Sequence, residues 1–268
     1  MFVALTALIA WRMKRFYADA SVDDLRWILD PTSRLVAMAT GARFEWAPGE
    51  GYLSRERLFV IEKVCAGINF MIAAFGMVAW MLRRRVVAWL SGAGVLVVSL
   101  LAAYSAAVVV NAARIAFALG LAGRSERIAW LTAAQAHRLE GIACYFGGLV
   151  LLFELVRQAD RRIEHGLTTP LIWYYGVTLA IPLANGAGGN GGFVEHAAFV
   201  LIVPLVLVAC CCMLFSRVPA RVPAWFVRRL RPVERVVPDR AGRSNALCAA
   251  SADHPAWRSG SAQQDHHR

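Results

Sequence analysis

The fold of this chain is decided at Glu62-Lys63-Val64-Cys65-Ala66-Gly67-Ile68-Asn69-Phe70-Met71, which opens an apolar run that ends at Leu82 and is stopped by Arg83-Arg84-Arg85. A polar segment becomes hydrophobic at a cysteine followed by two small residues. An apolar run of this length closed by a basic cluster is the pattern of a membrane-spanning helix. The cysteine then stands at the mouth of a helical bundle, reachable from water and backed by a low-dielectric wall.

Similar runs recur after this stretch. Val86 to Val110, Leu139 to Val156, Leu171 to Ala184 and Ala197 to Phe215 each read as a span, the one from Leu171 being short. Of 268 residues, 58% are hydrophobic, above the usual soluble composition of roughly 45–50%. The expected fold is an all-α, polytopic integral membrane bundle of five to six spanning helices. Met1 to Trp11 is only about half a span, and its basic flank, Arg12-Met13-Lys14-Arg15, follows the apolar core where a signal peptide would carry it before. It reads as an interfacial helix or, preferably, as the end of a first span that begins upstream.

Three regions follow. Residues 1–64 form an apolar segment and an extracytoplasmic polar loop, 65–216 the membrane-embedded bundle, and 217–268 a basic juxtamembrane stretch with a disordered cytoplasmic tail. Within Ala18 to Lys63, Val22 to Leu29 reads as a short amphipathic helix capped by Ser21, with Asp24 as the acidic partner three residues on. The net charge of +11 orients helices and meets anionic lipid. With no aromatic–basic interleaving and no zinc-finger spacing, no nucleic-acid partner is expected. The clusters Arg83–Arg85, Arg157–Arg162 and Arg217–Arg231 fall on one side if each run crosses once, and that side reads as the cytoplasm. Cys65, Arg114 and His137 then share the opposite face.

These three residue types suit acyl transfer. A thiolate is the nucleophilic form of cysteine and needs a cation or base beside it. His137 serves as base toward the thiol and then as acid toward a leaving amine. Arg114 stays protonated and stabilises a thiolate or an oxyanion. Asn111, three residues before Arg114, faces the same side of a helix and either orients the guanidinium or caps the helix. Each residue also has a bland reading: Cys65 as packing, Arg114 as an interfacial anchor, His137 as a helix-end group. Cys144 is a rival nucleophile, seven residues after His137 and on its face. Glu140 orients His137 or is simply an acid at a helix start. Glu62 is a solvated or substrate-facing charge, and Glu195-His196 follows a glycine-rich outer turn, residues 185–192, that lacks the Lys-Ser/Thr ending of a phosphate loop. The six cysteines, with Cys210, Cys211, Cys212 and Cys248, have neither disulfide-framework nor zinc spacing. The trio reads as small buried residues.

Cys65-Ala66-Gly67, Asn111-Ala112-Ala113-Arg114-Ile115 and His137-Arg138-Leu139-Glu140-Gly141, in that order, resemble the signature of the exosortase/archaeosortase family. The residues from Glu62 to Met71, with the short chain, are most similar to the exosortase K branch. The resemblance covers roughly Gly51 to Val156. It implies a membrane cysteine protease or transpeptidase acting on exported proteins that end in a hydrophobic sorting signal. It also implies a bacterial inner-membrane location with the site facing the periplasm. Cys65 would be the nucleophile, Arg114 the thiolate or oxyanion partner and His137 the acid/base. Asn111, Gly67 and Glu140 would support them, and no metal or organic cofactor is needed. The short first span and the long polar tail depart from the family pattern. A small multi-pass transporter and a non-catalytic envelope assembly subunit are the alternatives; a transporter would place ionisable residues near mid-membrane in broken helices.

Overall fold

The computed structural model describes residues 1–87, 89–121, 132–160, 166–189 and 191–217. The tail expected after Arg217, together with Cys248, Arg124, Arg127, Arg161 and Arg162, lies outside the described residues. The chain is mostly helical: α1 (Phe2–Asp19), α2 (Arg26–Thr40), α3 (Ile68–Leu82), α4 (Trp89–Leu121), α5 (Ala133–Ala159), α6 (Thr168–Tyr175), α7 (Ile181–Ala184) and α8 (Gly191–Arg217). Among the described residues, four helical stretches are long and apolar enough to cross a membrane: Lys63–Arg85, Leu90–Gly120, Gln135–Ala159 and Gly192–Cys210. This is the composition of a polytopic membrane protein.

Two expected spans differ in form. Residues 168–184 are helical throughout, with a π-type turn at Gly176–Ala180 joining α6 to α7. They reach about 25 Å, short of a hydrocarbon layer of about 30 Å. At the other end, α1 does not stop at Trp11. Arg12, Met13, Lys14 and Arg15 are good helix formers, and the helix runs through them for 18 residues.

The segment between α1 and α3 is not an open loop. Ser21 and Asp24 bond reciprocally: Ser21 N–H and Oγ donate to Asp24 Oδ2 at 2.9 and 2.7 Å. A short 3₁₀ turn, Asp23–Leu25, then leads into α2, longer than the expected helix. Ile28, Leu29 and Val36 on its inner face are fully buried. Pro31 removes an amide from α2, which orphans the carbonyl of Trp27 four residues earlier. The Tyr104 hydroxyl of α4 donates to that carbonyl at 3.0 Å, and the two rings stack with centroids 5.7 Å apart. After α2 the all-α expectation fails locally. Glu45–Ala47 (β1), Gly51–Ser54 (β2) and Phe59–Ile61 (β3) form a small antiparallel sheet in the order β1-β2-β3, with Trp46 opposite Tyr52 and Tyr52 opposite Ile61. The Tyr52 hydroxyl ties it to α2 by donating to Asp30 Oδ1 at 2.6 Å.

α3 is the centre of the bundle, with 12 of its 15 residues buried. α1, α2, α4, α5 and α6 contribute to the same hydrophobic core. α5 begins with a capping box, in which Thr132 Oγ1 accepts from Gln135 N–H and the Gln135 side chain accepts from Thr132 N–H. Near that end α8 is fastened to α5 by Arg138–Glu195 at 3.2 Å. At the far end Arg85 Nε donates to Asp160 Oδ2 at 2.7 Å. The separation of these two anchors along α5 follows from helix length alone, so the polar residues at its start and its end belong to opposite ends of the bundle.

Candidate active site

Cys65 sits in a single 3₁₀ turn, Lys63–Ala66, between the sheet and α3. Its N–H donates to the Glu62 carbonyl at 2.9 Å. The turn is held from α1: Lys63 Nζ donates to the Ala20 and Ala18 carbonyls at 2.6 and 3.1 Å, and the Tyr17 hydroxyl donates to the Lys63 carbonyl at 3.3 Å. Burial, and secondly the nearby Cys65 thiol, push Tyr17 up from its ordinary value, so its hydroxyl remains a donor. Gly67 then switches the chain into α3 with φ 68°, the left-handed region that favours glycine. A Cβ at this position would lie 3.3 Å from Asn111 Cγ. Glycine therefore makes the turn and also admits the Asn111 side chain, whose Nδ2 donates to the Cys65 carbonyl.

Asn111 and Arg114 do not begin a separate segment. α4 continues through them without a break to Leu121. Arg114 lies about 37 Å along that helix, beyond the roughly 30 Å of a hydrocarbon layer, so its charge emerges near the end of the span. From α5, His137, Gly141 and Tyr145 recur every four residues and present one face to Arg114. Arg114 Nη2 donates to His137 Nε2 at 2.8 Å and Nη1 to the Tyr145 hydroxyl at 3.1 Å. A Cβ on Gly141 would be 3.4 Å from Arg114 Nε. The Tyr145 hydroxyl donates onward to Asn111 Oδ1 at 2.9 Å. A closed relay results, from His137 through Arg114, Tyr145 and Asn111 to the Cys65 backbone, drawing on α5, α4 and the 3₁₀ turn.

The protonation pattern follows from donor counting. Arginine has only donors, so His137 Nε2 accepts with its lone pair and the neutral ring carries its proton on Nδ1. Nδ1 faces Glu140 Oε2 at 3.8 Å, too long for a hydrogen bond but within ion-pair range. Glu140 has 7% of its side chain exposed. Two buried polar atoms here have no partner among the described residues, Glu140 Oε1 and Arg114 Nε. A buried unpaired donor costs about 1–3 kcal/mol, and Arg114 Nε has an open position for an acceptor. Arg114 is within electrostatic reach of the Cys65 thiol and of Glu140. Among the described residues no hydrogen bond joins the Cys65 thiol to His137, and the sulfur is within electrostatic reach of Arg114.

The structure therefore gathers Cys65, Gly67, Asn111, Arg114, His137 and Glu140 at one end of the bundle. Cys144 is also near, within electrostatic reach of Arg114 and Glu140. Glu62 is exposed, as expected of a solvated charge. Glu195 is engaged by Arg138, and by Gln135 Nε2 at 3.4 Å, in fastening α8. Cys210 is exposed on α8, against the expectation of a small buried residue. Its side chain lies on an outward face of an apolar helix, where sulfur needs no protein neighbour. Among the described residues no cluster of His, Cys, Asp and Glu could hold a metal. Tyr145 is the member that sequence reasoning passed over. Its signal was the four-residue spacing from His137 through Gly141. No protein-family model, curated protein or solved structure matches this chain.

Proposed function

We propose that this chain is a membrane-embedded cysteine protease or transpeptidase of exosortase type. It would cleave hydrophobic C-terminal sorting signals from exported proteins in a bacterial inner membrane, with its site toward the periplasm. What supports the reading is the 2.8 Å contact of Arg114 with His137, joined through Tyr145 and Asn111 to the turn that carries Cys65. Residues far apart in sequence meet at one end of the bundle, not at mid-span as a transport site would require.

In this mechanism the Cys65 thiolate, paired with Arg114, attacks a peptide carbonyl carbon. The carbon–sulfur bond forms and the carbonyl oxygen becomes an oxyanion facing Arg114 Nε. His137 Nε2, released from Arg114 when substrate enters, has taken the thiol proton; the carbon–nitrogen bond then breaks and that proton passes to the departing amine. Water or an acceptor amine attacks the thioester carbon and gives its proton to His137; the carbon–sulfur bond breaks, and His137 returns the proton to the sulfur. A substrate anchored by its own apolar helix is confined near the membrane surface, which raises its effective concentration at Cys65.

The test is co-expression with a tail-anchored exported protein, following its processing by size. Cys65→Ala should abolish cleavage, His137→Ala should slow it about 10²–10⁴-fold, and Arg114→Ala about 10²–10³-fold. Normal processing by all three folded variants would leave the transporter or assembly reading in its place.

A further inference from the structure

A groove of about 630 Å³ runs between α1, α3 and the α6–α7 helix. Its sides are apolar: Ala7 and Ala10 from α1, Ile72 from α3, Trp173 and Val177 opposite. Gly76 fixes its width, because a Cβ there would fall 2.1 Å from the Trp173 ring; only glycine lets the indole lie against α3. One end of the groove carries Lys14 and Arg15, and the other Trp80 and Arg83. Among the described residues no acidic side chain lines it. Arg83 is occupied, donating to the Trp80 carbonyl at 2.6 Å and lying 3.7 Å above the Trp80 ring. Lys14 spends one N–H on Asn69 Oδ1 at 2.7 Å and keeps two. Arg15 is exposed and makes no ion pair among the described residues.

We propose that this groove binds an anionic phospholipid, with the headgroup phosphate on Lys14 and Arg15 and the acyl chains along Ala7, Ala10, Ile72 and Trp173. The assignment stands independently of the proteolytic reading. Dimensions favour it. From Lys14 back to Val3 the groove follows α1 for about 16 Å, half of a hydrocarbon layer of about 30 Å, which is the depth of one leaflet. Two extended acyl chains, each about 4–5 Å across at van der Waals contact, fill roughly 500 Å³ over that length. The charge also fits: two cations with spare donors, and no acid among the described lining residues, match a phosphate diester.

The full-length protein, stripped of lipid in detergent, can be titrated with phosphatidylglycerol and with phosphatidylcholine of identical chains, following bound lipid by native mass spectrometry. Phosphatidylglycerol should bind more tightly. Lys14→Gln and Arg15→Gln should each weaken it about fivefold while leaving phosphatidylcholine unchanged. Arg12→Gln, on the same helix but outside the groove, should have no effect. Ala10→Trp, with helicity retained by circular dichroism, should exclude both lipids. Equal binding of the two lipids would overturn the proposal. So would an Arg12→Gln loss as large as that of Arg15→Gln, or unchanged binding in Ala10→Trp. A synthetic apolar helical peptide that competes for the groove and is also excluded by Ala10→Trp would overturn it in favour of a peptide site.

Discussion

α3 and α8 are both predominantly apolar, yet they occupy opposite positions in the molecule. The span containing α3 has mean hydropathy 1.8 with 72% of its most apolar window buried in protein; that of α8 has 2.3 with 11% buried. The less apolar helix is the core and the more apolar one faces outward. Lipid tails are as apolar as leucine, so hydropathy reports entry into the membrane and is silent about position in the bundle. Shape decides that. α3 carries Ala73, Ala74, Gly76 and Ala79, all buried where neighbouring helices come close, whereas Leu201, Ile202, Leu205 and Val206 of α8 are exposed.

The largest expected effect lies in α3. Phe75 is wholly buried, and Phe75→Ala should cost about 3–5 kcal/mol in reversible unfolding in detergent. A loss under about 1 kcal/mol there would mean that the centre of the bundle lies elsewhere. Tyr145→Phe should come next. It deletes the hydroxyl shared by Arg114 and Asn111, at about 1–3 kcal/mol for the groups left unpaired. Processing should fall with it, with the substrate-concentration dependence little changed. Val206→Ala on α8 should stay within about 0.5 kcal/mol, and a cost equal to that of Phe75→Ala would erase the contrast between the helices.

The smallest effect is at Ser21–Asp24. Bonds from the Ser21 side chain and then its amide hold the Asp24 carboxyl below its ordinary value. A carboxyl lowered by folding stabilises the native turn above its unfolded value and loses that contribution as pH falls through the folded one. An NMR titration of the Ser21 amide should therefore show its midpoint below the ordinary Asp range, and Ser21→Ala should move the Asp24 midpoint back up.

The helical membrane architecture was legible wherever an apolar run met an abrupt basic stop, as at Leu82 and Arg83. The Ser21–Asp24 cap was legible because serine and aspartate three residues apart have one local use. The sheet at 45–61 was not read. Its strands are only three or four residues long, and two glycines with the look of loop residues sit at its first hairpin, Gly49 in the turn and Gly51 opening β2. Asn111 and Arg114 were separated from the preceding span because a charge ordinarily ends an apolar run. The helix instead continues, since its last turns lie beyond one hydrocarbon thickness. The site residues were named through local motifs. Their relay could not be read that way, because Tyr145 acts across two helices and resembles a packing aromatic in sequence.

The proposed cleavage passes through a covalent bond at Cys65. The most direct test incubates the His137→Ala protein, slow to turn over, with a tail-anchored substrate, quenches in acid and maps adducts by peptide mass spectrometry. The account predicts an acyl group on Cys65, released by hydroxylamine and missing from Cys65→Ala. An acyl group on Cys144 instead, or processed substrate with no adduct at Cys65, would contradict it.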